Sequence, residues 1–232
     1  HRALLRFTSG SNVRFERVFS WLEAALIAKE QSPASTPTLL SQIKEGVGGV
    51  DYLNGALAVQ VSGDVAFVAS AADDSLTLVD VSDPASPRQL SAARHNVTSG
   101  VTMMDAPSSV AVSGNYAYVT ASASGSLTIL DVSIPAAPQW VAHVTIGMLT
   151  GVSTNTYWLT NASSVVVKDD IAYVAANNAL TLINVSAPAS PQFIAQVSHG
   201  TLDLSGTAAR LSSAGAVCVD GGFAYVVTAS GS

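Results

Sequence analysis

One phrase recurs four times in this 232-residue chain, at intervals of about fifty residues. The copies begin at Gly55 (GALAVQVSGDVAFVAS), Ser108 (SSVAVSGNYAYVTAS), Ser163 (SSVVVKDDIAYVAA) and Gly215 (GAVCVDGGFAYVVTAS), and the last stops within the unit at Ser232. Repetition at this period is the mark of a modular array, in which each unit buries its apolar face against its neighbours. It turns most repeated side chains into architecture and leaves function to whatever differs between copies.

Each copy divides into four short runs separated by turn signals. In the second copy, Val110 and Val112 alternate with small residues, and Ser113-Gly114-Asn115 supplies a tight turn. Tyr116 to Thr120 is the next run, and Ser124-Gly125 turns the chain again. Leu127 to Val132 is almost continuously apolar, as expected of a strand covered on both faces. Pro135 and Pro138 then break the ladder before Gln139 to Val144, the outermost run. Four antiparallel strands in a unit of this size predict one blade of a β-propeller, so the fold class is all-β.

The copies agree where close packing would demand it. A small residue, a ring and a valine recur as Ala66-Phe67-Val68, Ala117-Tyr118-Val119, Ala172-Tyr173-Val174 and Ala224-Tyr225-Val226. A side chain larger than alanine there would force neighbouring sheets apart. Asp80 and Asp131 close the third strand, and Asn184 takes that place in the third copy. The exchange retains a side-chain oxygen able to cap a turn and discards a carboxylate, so the reading is structural.

Proline register exposes an extra fragment. Pro37 stands where Pro87, Pro138 and Pro191 open the outer strands, at spacings of 50, 51 and 53. Residues 37–42 therefore read as an orphan outer strand ahead of blades at about 55–93, 108–144 and 163–197 and a partial blade at 215–232. In a closed ring such a strand would complete the last blade and remove exposed edges. Three complete units fall short of a ring, so the expectation is a longer natural chain with further blades.

Residues 1–35 differ in kind. Together with the following strand and loop, up to Glu45, they hold six of the ten Lys and Arg and all four Glu. From Gly46 onward four basic residues face twelve Asp, a net charge of −8. Asn12 to Lys29 predicts a helix, because Phe15, Val18, Phe19, Leu22 and Leu26 share one face of a 3.6-residue period. That helix either packs on the propeller rim or docks a partner through Phe15, Phe19 and Leu22.

The phrases YAYVTASASGSLTILDVSIPAAP, FVASAADDSLTLVDVSDPASP and YVAANNALTLINVSAPASP resemble the LVIVD-repeat family. Its apolar third strand running into Asp is seen here as Leu78-Val79-Asp80-Val81 and Ile129-Leu130-Asp131-Val132. The resemblance covers about Pro37 to Ser232 and implies a β-propeller of secreted or cell-surface proteins, adhesive or scaffolding, with no enzyme activity and no catalytic residues. The long connections between units and the amino-terminal segment depart from the family pattern.

Signals for chemistry are weak. No nucleophile elbow, zinc-protease helix, C-x-x-C pair or phosphate loop occurs. His95, His143 and His199 fall on successive units and would be spread round the ring, so no shared metal and no cofactor are expected. Asp73-Asp74 and Asp169-Asp170 read as turn residues. Cys218, the one cysteine, precludes an intrachain disulfide and reads as a small buried core residue. The acidic repeat region argues against nucleic acid, and no apolar run is long enough to form a membrane-spanning helix. Among three N-x-S/T sequons, Asn96 and Asn161 lie in loops and are the candidate glycosylation sites, whereas Asn184 ends a strand.

What varies is the connection from outer strand to next first strand: Arg94 to Pro107, Thr145 to Ala162 and Ser198 to Ala214. These loops carry Met103, Met104, Asp105, Met148, Tyr157, Trp158, Asp203 and Arg210. Loops on a rigid scaffold are where binding usually resides. Tyr157 and Trp158 fit binding or packing equally, and the Met pair fits packing better. The expectation is a non-enzymatic interaction module of an extracellular or surface assembly, contacting protein or glycan. The alternatives are a ligand-binding or hydrolytic propeller with its site at the channel mouth, and a structural subunit of a large complex elsewhere.

Overall fold

The computed structural model of the protein describes residues 24–28 (as backbone), 39–145, 159–200 and 209–228. Three four-stranded antiparallel sheets follow one another. The first is β3 (Ala56–Ser62), β4 (Val65–Ser70), β5 (Ser75–Asp80) and β6 (Arg88–Arg94), paired in chain order. The second is β7 (Pro107–Ser113), β8 (Tyr116–Ala121), β9 (Ser126–Asp131) and β10 (Gln139–Thr145). The third is β11 (Ser164–Lys168), β12 (Ile171–Ala176), β13 (Ala179–Asn184) and β14 (Gln192–Ser198). Two-stranded sheets stand at either end: β1 (Ala24–Ala28) with β2 (Leu39–Lys44), and β15 (Ala214–Asp220) with β16 (Phe223–Thr228).

Successive first strands β3, β7, β11 and β15 lie against one another, so the sheets stack face to face with these edges toward a common axis. This is the blade arrangement of a β-propeller. Third strands carry the greatest burial: Leu76, Leu78, Leu127, Ile129, Leu130 and Ile183 are all inaccessible to solvent. The near-continuous apolar run of each third strand is therefore covered on both faces. Ala117 packs into a cluster with Phe67 and Leu78 of the preceding blade, and Ala172 packs with Tyr118 and Ile129. The recurring alanine lets the ring behind it approach.

Polar stitches reinforce each junction near the axis. Gln60 Oε1 accepts from Val112 N at 3.0 Å, and its amide donates to the Val112 carbonyl. Ser108 Oγ donates to the Ala162 carbonyl at 2.6 Å, and Ser109 Oγ accepts from Val165 N. Ser163 donates likewise to the Ala214 carbonyl at 2.7 Å, and Ser164 accepts from Val217 N.

Just before each first strand the backbone turns left-handed, at Gly55 (φ 69°), Ala106 (52°), Asn161 (51°) and Ser213 (52°). Only Gly55 needs to lack a side chain: a Cβ there would stand 2.8 Å from the Ala72 backbone nitrogen.

Two sequence expectations are corrected. Ala24–Ala28, the end of the expected helix Asn12–Lys29, is strand β1 antiparallel to β2; Phe15, Phe19 and Leu22 lie outside the described residues. A five-residue apolar run has no helical preference strong enough to resist a neighbouring strand that offers a full ladder. The strand at Leu39–Lys44 is thus not without a partner. The register is informative: Leu40 is bulged out opposite the Ile27/Ala28 step. Leu90, Val141 and Ile194 are bulged at the same place in the complete blades, each three residues after its proline. β1 and β2 are therefore paired as third and fourth strands of a blade, with Ala28 at the place of Val79. Ser41 Oγ donates to the Pro84 carbonyl of the first blade as Ser91 Oγ donates to the Pro135 carbonyl of the second.

The second correction is Cys218, which is exposed. It occupies the register place of Ala111, whose side chain is buried against the third blade. Among the described residues no sheet covers the corresponding side of β15–β16.

The inter-blade packing gives a direct test. Ala117→Leu should cost about 1–3 kcal/mol in urea unfolding, the usual penalty of overpacking a filled core. Ala224→Leu, at the same register place but exposed on β16, should change stability by less than about 0.5 kcal/mol. Equal losses at the two sites would contradict the packing described.

Candidate functional site

The variable lead-in loops and the turns between second and third strands emerge at one end of the sheets. They are tied down from below. Ser75 and Thr77 hydroxyls both donate to the Tyr52 carbonyl, at 3.0 and 2.7 Å. Ser126 and Thr128 do the same to the Met103 carbonyl. These hydroxyls belong to buried third-strand residues, so each loop is held by a pair of bonds rising out of the core.

Side chains of the turns complete the anchoring. Asp73 accepts from Asn54 N at 2.7 Å, in the loop leading into its own blade. Asp74 accepts from Ala106 N at 2.8 Å, in the loop leading into the next. His95 Nδ1 accepts from Met104 N, and His199 Nδ1 accepts from Leu211 N at 3.2 Å, the same arrangement two blades on. Arg94 lies 4.2 Å over the Tyr52 ring, a cation–π contact that flattens this loop on the sheet edge. Gly100, at φ +80°, lets the next loop pass over Trp140; a Cβ would stand 2.9 Å from the indole.

The loop residues singled out from sequence are thereby sorted. Met104 is fully buried in the cluster between the first two blades, and Met103 is half-buried, so the pair packs. Asp105 and Arg210 are exposed on the loop face. Tyr157, Trp158 and Asp203 lie outside the described residues, as does Met148. Asn96 and Asn161 are both exposed, at left-handed positions that asparagine tolerates well. Asn184 is exposed too, although it ends a strand, and its Oδ1 accepts from Ser186 N at 2.9 Å.

The repeated carboxylates cap turns. Asp131 Oδ1 accepts from Ser133 N at 2.8 Å, and Asp80 Oδ1 accepts from both Ser82 N and Ser82 Oγ. Asp80 also pairs with Arg88 at 2.8 Å. The serine hydroxyl bonds, then the backbone bonds, hold both acids below the ordinary carboxylate range. His143 stands apart: its pKa is lowered by burial, beside the Trp140 ring. Among the described residues no three His, Cys, Asp or Glu converge as metal ligands. A groove of about 300 Å³ lies between outer strands β2 and β6, lined by Gln42, Lys44, Gly48, Arg88 and Gln89, away from the axis.

The repeat phrase, the blade register and the turn-capping Asp together match a known family. The family model of the LVIVD repeat fits residues 55–91, 106–145 and 160–198, half of the chain. The chain belongs to the LVIVD-repeat family. No curated protein sequence matches it.

Solved structures resemble the LVIVD fold at low identity. A protein from Lactobacillus plantarum is 16% identical with a TM-score of 0.58, over 79% of this chain and 55% of that one. A candidate 6-phosphogluconolactonase from Bacteroides fragilis is 11% identical with a TM-score of 0.53, over 79% and 52%. The computationally designed Ika4 protein is 12% identical with a TM-score of 0.52, over 77% and 88%. The chain thus spans about half the length of the two natural proteins. Likeness at this identity shows the fold alone.

The caps make stability acid-sensitive with a defined sign. A depressed folded pKa contributes stability that is present above the unfolded value, near 3.9, and is lost as pH falls through the folded one. Replacing Asp80 and Asp131 together by Asn, the residue the third blade already uses, should flatten the acid limb of urea midpoint against pH below about pH 4. An unchanged acid limb would mean that these carboxylates do not act as described.

Proposed function

We propose that this LVIVD propeller is a non-enzymatic interaction module of an extracellular or cell-surface assembly, presenting its lead-in loop face to a protein or glycan. One observation carries the reading. The described residues that differ between blades sit on a single face, where buried hydroxyls and turn carboxylates hold the loops at Tyr52 and Met103 and Asp51, Asn54, Asp105 and Arg210 stand exposed. Rigid loops lose little entropy on binding, which favours recognition. The surface setting is what membership of the family supports, and the exposed sequons at Asn96 and Asn161 are compatible with it. Among the described residues no helix is long and apolar enough to cross a membrane.

The test is a screen of the purified chain against a glycan array and a panel of extracellular ectodomains, with hits measured by interferometry. A triple variant, Asp51→Ala, Asp105→Ala and Arg210→Ala, should keep the wild-type melting curve and weaken a true ligand by about tenfold or more. Binding indifferent to those changes, or turnover of ester or lactone substrates by the wild-type chain, would overturn the proposal.

A further inference from the structure

The groove between β2 and β6 has a counterpart at the next junction, where a ring fills the same place. The two lead-in loops close alike: Gly46 N donates to the Val50 carbonyl as Asn96 N donates to the Val101 carbonyl. Gly49 therefore stands where Gly100 stands, each directly before the valine. On the outer strands, Gln89 faces Val79 and Trp140 faces Leu130, each one residue before the bulge. At the second junction the Trp140 indole lies against Gly100. At the first, Gln89 Oε1 accepts from Asp51 N at 2.8 Å. A short amide stands in place of a ring, and a groove of about 300 Å³ is left between two neighbouring sheets.

The lining is one-sided in charge. It holds Lys44 and Arg88, two of the five Lys and Arg among the described residues, and no Asp or Glu. In a chain of net charge −6 this is a local reversal of sign. Asp80 grips Arg88 by Nε and Nη2, which orients the guanidinium and leaves Nη1 to meet a ligand. The backbone adds donors. Gly48 and Gly49 are both at positive φ, with nothing within 4 Å of a Cβ position. Their amides make no hydrogen bond among the described residues. At the second junction the corresponding Thr98 N is bonded to the Arg94 carbonyl. Unpaired successive amides beside fixed cations suit an anion.

We propose that this groove binds an acidic sugar, a pyranose ring bearing a carboxylate or a sulfate within an anionic glycan. The C–H face of the ring takes the place over Gly48 and Gly49 that the indole takes at Gly100. The charged group meets Arg88 and the loop amides, and Gln42 and the Gln89 Nε2 bond ring hydroxyls. The choice of a sugar rests on the extracellular reading above; the choice of a ring and of a negative charge rests on the groove.

Calorimetric titration of the full chain with trigalacturonate, a heparin-derived tetrasaccharide, neutral maltotriose and inorganic sulfate tests this. One or both acidic oligosaccharides should bind about tenfold or more tightly than maltotriose or sulfate alone, with affinity falling as salt rises. Gln89→Trp, which copies the second junction into the first, should weaken that binding by about tenfold or more. Arg88→Gln, on an exposed side chain, should do the same with the circular dichroism unchanged. Asp105→Ala with Arg210→Ala, on the loop face, should leave it unchanged. The proposal is overturned by equal affinity for maltotriose or for sulfate alone, or by no binding of either acidic sugar. Binding that survives both Gln89→Trp and Arg88→Gln also overturns it. Binding lost in the Asp105 and Arg210 variant would move the ligand to the loop face, overturning this site and supporting that one.

Discussion

Everything in this molecule depends on how closely one sheet can lie on the next. The alanine that precedes the ring in the second strands of the inner blades, Ala117 and Ala172, removes the side chain that would hold two sheets apart, and Phe67 or Tyr118 of the preceding blade fills the space. That approach is what places Leu76, Leu78, Leu127 and Ile129 beyond the reach of water on both sides. It also brings first strands near enough for Gln60, Ser108 and Ser163 to bond across the junction. Loop position follows from the same geometry, because the buried Ser and Thr of the third strand rise to hold the lead-in loops in place.

The blades were legible because the signal repeats. Ala-ring-Val, the apolar third strand and the proline pair each recur with fixed spacing, and a residue that changes freely between copies, such as Asp131 against Asn184, declares a structural role by surviving the change. The amino-terminal strand shows where a local pattern misleads. Phe15 through Leu26 fits a helical face, yet Ala28 stands five residues before Pro33, as Val79, Leu130 and Ile183 stand five before Pro84, Pro135 and Pro188. The signal was present but interrupted, because Pro33 and Pro37 are one residue further apart than the later proline pairs. Periodicity within a short segment competes poorly with a ladder offered by a distant strand.

The site was less legible for a different reason. Repetition says which residues are architecture, but exposure depends on whether a covering sheet exists. Cys218 has a core-like setting in sequence and an open one in space. Met103 and Met104 are adjacent, and only the second reaches the core between blades. Asp73 and Asp74 look like a pair and serve two different loops, one within the blade and one beyond it. No spacing rule separates such neighbours, since the outcome turns on the direction of one backbone step.

The left-handed residue before each first strand has a consequence for how this array could change over time. Four copies occupy it with Gly, Ala, Asn and Ser, and three of the four carry a side chain into a conformation that L residues adopt reluctantly. Such strain persists only when the surroundings over-determine it. The corner is thus imposed by the stack rather than chosen by the residue. Insertions in the loop just upstream leave the strand that follows in register, which lets each blade acquire its own loop without disturbing its neighbours.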